Sequence, residues 1–345
     1  MPEGPEVRRC GDQLRSLISG KQIKWRAVSG KLGRNGIKLP PAYATVNTFN
    51  VEDVQVRGKV IFIKSQQGLE IVSTLGMSGW WYPPQQEIDL SLTVYYQGKP
   101  QKATDVAAKA LKHTRVTIEE ATPTKFSTDP FFDPLFGGVK RTTRIGTPIS
   151  PNQIFPTYFT GYRPLAHYID PRNFGNLKIV TDKEADRIRA SLGIDLLNDE
   201  VTLYRWLNIF TDVKLGHRQI GEVLLDQKVI CGIGNIYRAE ILYLSRVHPA
   251  SIIAELTEAH LIRIYDCAKL VLNTAYVNYG NMKYELDDPV RGQINIDGFA
   301  VYGRKRDVFQ HTVCRAEIGG RTMWYVPEVQ TLIGPEIRPL IDTSA

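Results

Sequence analysis

The sequence predicts an α+β chain in which one amphipathic helix leads into a β-rich part, and a helical part ends in a basic β-hairpin. Three observations carry that prediction. Apolar residues recur at helical spacing through Val7, Cys10, Leu14 and Leu17, short β-rich runs fill roughly residues 23 to 96, and helical periodicity resumes after about residue 200.

The first helix is predicted from Pro5, which suits a first helical position, to Gly20, with Glu6 near its positive end. Runs such as Val60-Ile61-Phe62-Ile63 and Glu70-Ile71-Val72-Ser73, separated by glycines and polar turns, then suit a β-sandwich or barrel. A basic segment from Lys99 to Lys112 leads to a strand over 114–118. Residues 121–164, rich in Pro, Gly, Thr and Phe and without clear periodicity, read as a long surface insertion. A strand pattern over 165–179 closes an N-terminal domain of residues 1–180, and 181–198 reads as a linker beginning with a short polar helix.

Helices are predicted over 201–210, 219–226, 236–247 and 258–279, within a domain of residues 199–298 that ends in a polar loop from Asn281 to Gly298. Two of them bracket the turn Cys231-Gly232-Ile233-Gly234-Asn235. Its bare backbone N–H groups could hold a phosphate at the next helix's N-terminus, or its glycines could serve tight packing alone. A basic hairpin joined at Ile318-Gly319-Gly320-Arg321 occupies 299–331, and a tail of 332–345 follows.

With 345 residues, 43% of them hydrophobic and 23% charged, the chain is long enough for two cores. Its 43 Lys and Arg against 36 Asp and Glu give a formal charge of +7, a mild bias towards polyanions. No apolar run approaches the ~20 residues of a membrane span, and no charged-then-apolar leader opens the sequence, so an intracellular protein without a membrane partner is expected. Cys10, Cys231, Cys267 and Cys314 are far apart and form no C-x-x-C pair, which points to neither a disulfide framework nor a thiolate zinc site.

The chemistry begins at Met1-Pro2-Glu3-Gly4-Pro5-Glu6. Removal of Met1 would free the ring nitrogen of Pro2, and an α-amino group has a pKa of about 7.7 to 8.0, so part of it is uncharged and nucleophilic near neutral pH. Because that nitrogen is secondary, its adduct with an aldehyde sugar would be a charged iminium. The same residues also suit methionine excision and a helix start, so the rest of the chain must decide.

Five patterns in one order resemble the Fpg/Nei family of bifunctional DNA glycosylases and AP lyases. They are Pro2-Glu3-Gly4-Pro5-Glu6, Arg57-Gly58-Lys59, Leu75-Gly76-Met77-Ser78-Gly79, Asp170-Pro171-Arg172-Asn173-Phe174-Gly175, and Leu225-Asp226-Gln227 through Gly232-Ile233-Gly234-Asn235, with the 301–330 hairpin behind them. The resemblance implies an N-terminal helix on a β-sandwich, then a helix-two-turns-helix domain with a finger. It implies catalytic roles for Pro2, Glu3, Glu6 and Lys59, with Pro2 forming a Schiff base that leads to β- and then δ-elimination. It also implies DNA contacts from Met77, Arg172 and Phe174, which fill the void left by a flipped nucleotide, and from Asn235 and Arg321, which clamp phosphates.

Zinc-bearing members of the family carry four finger cysteines, whereas the corresponding positions here are Val308, His311, Val326 and Val329, so a zincless finger and no cofactor are expected. Asn173 stands where a second arginine is common, and Thr74 where a histidine is frequent. The resemblance therefore implies a monomeric base excision repair enzyme acting on oxidised pyrimidines and ring-opened purines. Its partner would be damaged double-stranded DNA, with single strands and bubbles left open, and it would lie in the nucleus or nucleoid. Two other classes fit parts of the chain: a non-enzymatic nucleic-acid-binding module, and an N-terminal-proline tautomerase, which leaves the basic hairpin without a use.

Overall fold

A computed structural model describes residues 2–27, 48–82, 93–96, 99–102, 113–122, 124–128, 157–161, 163–278, 280, 282–288 and 292–334. Most of the predicted insertion and the end of the tail lie outside these residues. Two compact units divide the chain: residues 10–55 and 62–185 form the first, and residues 2–9, 56–61 and those from 186 onwards form the second.

The N-terminal helix α1 (Gly4–Ile18) follows the predicted spacing, except that its buried stripe runs Val7, Cys10, Leu14 and Ile18 while Leu17 is half-buried. A step of four from Leu14 keeps the stripe in line with a 3.6-residue turn. Next come β1 (Gln22–Ala27), β2 (Thr48–Arg57), β3 (Val60–Ser65), β4 (Leu69–Thr74), β5 (Trp80–Tyr82), β6 (Thr93–Tyr96), β7 (Lys99–Lys102), β8 (Thr114–Glu120), β9 (Thr124–Thr128), β10 (Thr157–Gly161), β11 (Pro164–Ile169) and β12 (Asn176–Thr181), then helix α2 (Asp182–Ala190). Eight strands form one sheet in the order β12-β4-β3-β2-β1-β8-β11-β5.

Strands from opposite ends of that sheet meet. Trp81 Nε1 of β5 donates to Ser73 Oγ of β4 at 3.1 Å, and the Tyr168 hydroxyl of β11 donates to the Thr74 carbonyl at 3.3 Å. Trp25, Ile71, Trp81, Val116, Ile118 and Leu177 line one small apolar cavity between them. The sheet is thus folded on itself as a sandwich, whose core takes apolar strand residues such as Phe49, Val51, Ile71, Val116, Ile118 and Leu177. Within the predicted insertion, β9 and β10 pair antiparallel from Thr124↔Gly161 to Thr128↔Thr157, a hairpin that the lack of periodicity did not reveal.

The second unit contains β13 (Ile194–Asp195), α3 (Leu203–Ile209), α4 (Ile220–Val223), β14 (Ile230–Cys231), α5 (Asn235–Leu244), α6 (Glu258–Val277), β15 (Lys283–Asp288), β16 (Gly292–Asp297), β17 (Cys314–Ile318) and β18 (Arg321–Tyr325). Its core is built on Trp206, Tyr237, Ile241, Ile264 and Val271, and Trp206 Nε1 is satisfied by the Leu261 carbonyl at 2.9 Å. The helix predicted over 219–226 is a single turn, Ile220–Val223, because the chain turns back at Asp226, whose carbonyl accepts from Val229 and Ile230. The polar loop expected over 281–298 is instead the β15/β16 hairpin, paired from Lys283↔Asp297 to Asp288↔Gly292. At the predicted finger tip, β17 and β18 are joined by Gly319 and Gly320 with φ of 63° and 68°, a two-residue turn that favours glycine at both places. No helix among the described residues is long and apolar enough to cross a membrane.

Candidate active site

In the second unit the start of α1, the β2–β3 turn and the start of α5 converge. The Gly4 amide donates to the Gly232 carbonyl at 2.8 Å, and the chains approach so closely that a Cβ on Gly234 would lie 2.3 Å from the Glu3 carboxyl carbon. Glu3 is wholly buried, at 0% exposure, and its oxygens accept from the amides of Ile236 at 2.9 Å and Tyr237 at 3.2 Å. The first amides of a helix have no internal partners, and Gly234, the residue before α5, offers no side chain to cap them. Glu3 takes that place from 233 residues away in sequence. The amides of Ile236 and Tyr237 are therefore engaged by a carboxylate, which corrects the expectation that this turn offers them to a phosphate.

Burial raises the pKa of Glu3, with the nearby Lys59 charge and the two backbone bonds acting against it. Glu6 accepts from the Glu3 amide at 2.9 Å and from the Tyr237 hydroxyl, so it caps its own helix and also reaches α5. Burial, aided by the charge of Glu3, pushes its carboxyl up to about 7. Lys59 lies in the turn between β2 and β3 rather than within a strand. Burial lowers its pKa, while the carboxylates of Glu3 and Glu6 oppose that shift. Pro2, half-buried, directly precedes Glu3.

The Lys59 turn is held from beneath. Gly58 has φ of 57° and its added Cβ would lie 2.7 Å from the Cys231 Cβ, so the position requires glycine both for conformation and for space. Its amide donates to Asp195 Oδ2 at 2.6 Å, and Arg57 donates to Asp199 at 2.9 Å and to the Gly193 carbonyl at 2.7 Å. Gln227 fixes the adjoining turn, accepting from the Gly232 amide at 3.0 Å and donating to the Ile233 carbonyl at 2.8 Å.

Asn235 and the finger turn also meet. Asn235 Nδ2 donates to the Thr322 carbonyl at 2.8 Å, one residue after Arg321 at the finger tip, which is exposed. Among the four finger positions, Val326 is buried, Val308 and Val329 pack against the core, and His311 Nδ1 lies 2.9 Å from Asp307 Oδ2. Three apolar side chains and one engaged imidazole do not fit a tetrahedral zinc site.

Met77, Arg172 and Phe174 lie in the first unit, on two loops that touch. A Cβ on Gly76 would come within 2.5 Å of the Phe174 carbonyl carbon. Asp170 organises both loops, accepting from Ser78 Oγ at 2.8 Å and from the Gly175 amide at 2.7 Å, while Ser78 Oγ accepts from the Arg172 amide at 3.1 Å. This framework leaves Met77 45% and Phe174 58% exposed, unusual for such apolar side chains. Asn173 has φ of 56°, a conformation that asparagine tolerates better than arginine, which gives the departure at this position a local reason.

The site residues predicted in the second unit, Pro2, Glu3, Glu6, Lys59, Asn235 and Arg321, come from four separated stretches of chain. Tyr237 and Asp195 join these constellations and carried no sequence signal of their own, since each meets its partner far along the chain, Tyr237 the Glu6 carboxyl and Asp195 the Gly58 amide, whereas Gln227 and Asp170 lay inside the motifs with no role assigned to them.

Residues 1–130 match the family model of the formamidopyrimidine-DNA glycosylase N-terminal domain, and residues 192–284 match that of the formamidopyrimidine-DNA glycosylase H2TH domain. A formamidopyrimidine-DNA glycosylase of Exiguobacterium sp. AT1b is 26% identical over 340 residues, which cover 96% of this chain and 99% of that relative. One of Gluconobacter oxydans is 31% identical over 175 residues, covering 48% of this chain and 61% of the relative. Among solved structures, a complex between Lactococcus lactis Fpg and an abasic site containing DNA superposes with a TM-score of 0.60 at 16% identity, covering 95% of this chain and 99% of that one. A complex of wild-type Lactococcus lactis Fpg with an oxidised pyrimidine containing DNA gives 0.61 at the same identity and coverage.

Proposed function

Because the chain belongs to the Fpg/Nei family of DNA glycosylases, we propose that it excises oxidised bases from DNA through the amine of Pro2 and then cleaves the abasic strand. With Met1 removed, the Pro2 nitrogen attacks C1′ of the flipped nucleotide and the bond to the base breaks, the base leaving with a proton. Opening of the C1′–O4′ bond, with a proton delivered to O4′, leaves an iminium. Loss of a C2′ proton then expels the 3′ phosphate, a second elimination expels the 5′ phosphate, and hydrolysis frees the enzyme.

The observation that carries this reading is the wholly buried carboxyl of Glu3, joined directly to Pro2 and close to Lys59. A carboxyl raised by burial holds a proton nearer neutral pH than an exposed one, as proton donation to O4′ requires, and an amine lowered by burial releases its own more readily. Glu3 serves as the donor, Lys59 as phosphate holder and proton carrier, and Glu6 as a carboxyl beside the sugar. Asn235 and Arg321 grip flanking phosphates, and Met77, Arg172 and Phe174 fill the vacated stack.

The substrates are oxidised pyrimidines and ring-opened purines in duplex DNA, attacked by a monomer that works with the DNA inside the cell and needs no metal. The donor set at the four finger positions supports the last point. Incubation with abasic-site duplex and borohydride tests the chemistry. A covalent protein–DNA adduct that disappears in Pro2→Gly supports it, and a protein that binds the duplex but leaves no adduct contradicts it. A panel of single lesions in duplex, bubble and single-stranded oligonucleotides tests the substrate preference.

A further inference from the structure

Arg238 is the most completely enclosed cation among the described residues of the second unit. It is 0% exposed, so it touches neither solvent nor an external phosphate. From the first turn of α5 its guanidinium reaches two other elements and one residue of its own turn. Nη1 donates to the Gly221 carbonyl in α4 at 2.8 Å and to the Ile318 carbonyl at the end of β17 at 3.0 Å, and Nη2 donates to Asn235 Oδ1 at 2.6 Å.

We infer that Arg238 is a positioning residue for DNA binding, which fixes the side-chain amide of Asn235 so that its NH2 faces outward to the finger and the DNA. The argument is one of donors and acceptors. A guanidinium can only donate, so the atom of Asn235 facing it must be the oxygen. The amide nitrogen then points the other way, where one hydrogen reaches the Thr322 carbonyl at 2.8 Å and the other turns to the Tyr302 hydroxyl, the partner that a phosphate oxygen would replace. An amide turned over would present its oxygen to the phosphate and repel it.

The same cation ties the end of β17 to α5. Ile318 is the register partner of Arg321, so the bond to the Ile318 carbonyl fixes the strand pair that carries the second clamp residue. Burial above all lowers the Arg238 pKa to about 10, with the Glu3 carboxylate opposing that shift and the charge of Arg321 adding to it.

This inference rests on the proposed clamp role of Asn235, and a double-mutant cycle separates the two. Binding of duplex with a stable abasic-site analogue is measured for wild type, Asn235→Ala, Arg238→Lys and the double variant, with thermal unfolding followed in parallel. A lysine keeps the charge but cannot serve three acceptors in separate directions. Each single variant is expected to weaken binding about tenfold or more, and the double variant by clearly less than the product of the two losses. Multiplying losses overturn the positioning role, because a purely structural arginine acts independently of Asn235. Unchanged binding in Asn235→Ala overturns the clamp role itself. The wild-type chain gives a further measurement that needs no folded Arg238 variant: the Asn235 side-chain amide, assigned by its absence in Asn235→Ala, is expected as one protected NMR pair, and exchange between two orientations contradicts the proposal.

Discussion

Glu3 and Glu6 are the same residue type three positions apart, and their surroundings give them different tasks. Glu3 ends the chain of unsatisfied amides at α5, while Glu6 is shared between the backbone of Glu3 and the Tyr237 hydroxyl. The sign of their effect on stability follows from burial. Glu6 holds its proton to about 7 in the folded chain instead of 4.5, so between those values the folded state binds more protons than the unfolded one and stability falls as pH rises. Above about 7 that contribution is flat. Glu6→Gln is expected to remove part of this decline, seen as a shallower loss of urea midpoint between pH 5 and 7, and an unchanged slope contradicts the assignment. The motifs that hold Pro2, Glu3, Glu6 and Lys59 were legible because their residue types and spacing repeat a known pattern, and the roles given to these residues are proposals. Tyr237 was not, because a tyrosine in an apolar helix reads as core, and only the fold aims its hydroxyl at Glu6.

At the scale of elements, turns position the chemistry. The β2–β3 turn carries Lys59 because Gly58 alone fits both the φ of 57° and the closeness to Cys231. Gly58→Ala is expected to lower stability by about 1–3 kcal/mol and to reduce strand cleavage, whereas Lys59→Ala reduces cleavage with little change in unfolding. Equal stabilities in the two variants would show that the turn tolerates a side chain. The Met77 and Phe174 loops make the opposite case, since Asp170 fixes their backbone and their apolar side chains stay exposed. The double variant Met77→Ala with Phe174→Ala is expected to keep its unfolding temperature within about 2 °C while base excision from duplex falls at least tenfold. A clear loss of stability would make them core residues instead. The first helix was readable from its spacing and the finger turn from its paired glycines. The β15/β16 hairpin was read as a polar loop although Gln293-Ile294-Asn295-Ile296 alternates with period two, because so short an alternation in a polar stretch is a weak strand signal.

For the whole molecule, the division into units differs from the order of the sequence. Residues 2–9 and 56–61 belong with residues from 186 onwards, so the proposed catalytic amine, carboxyls and lysine are built into the unit that carries α5 and the finger. No local pattern announces that assembly, which depends on pairings such as Gly4 with Gly232 and Gly58 with Asp195. The finger, where Val326 is buried and Val308 and Val329 pack on the core, is expected to keep its strand cleavage and its unfolding temperature in a strong chelator. Loss of either, restored by zinc, contradicts a finger held by apolar packing. The central claim is that the nitrogen of Pro2 is the nucleophile, and mapping the borohydride-trapped adduct by mass spectrometry tests it most directly. The account predicts a reduced sugar remnant on the N-terminal peptide, attached to Pro2 with Met1 absent; a remnant on Lys59, or on any residue other than Pro2, would contradict it.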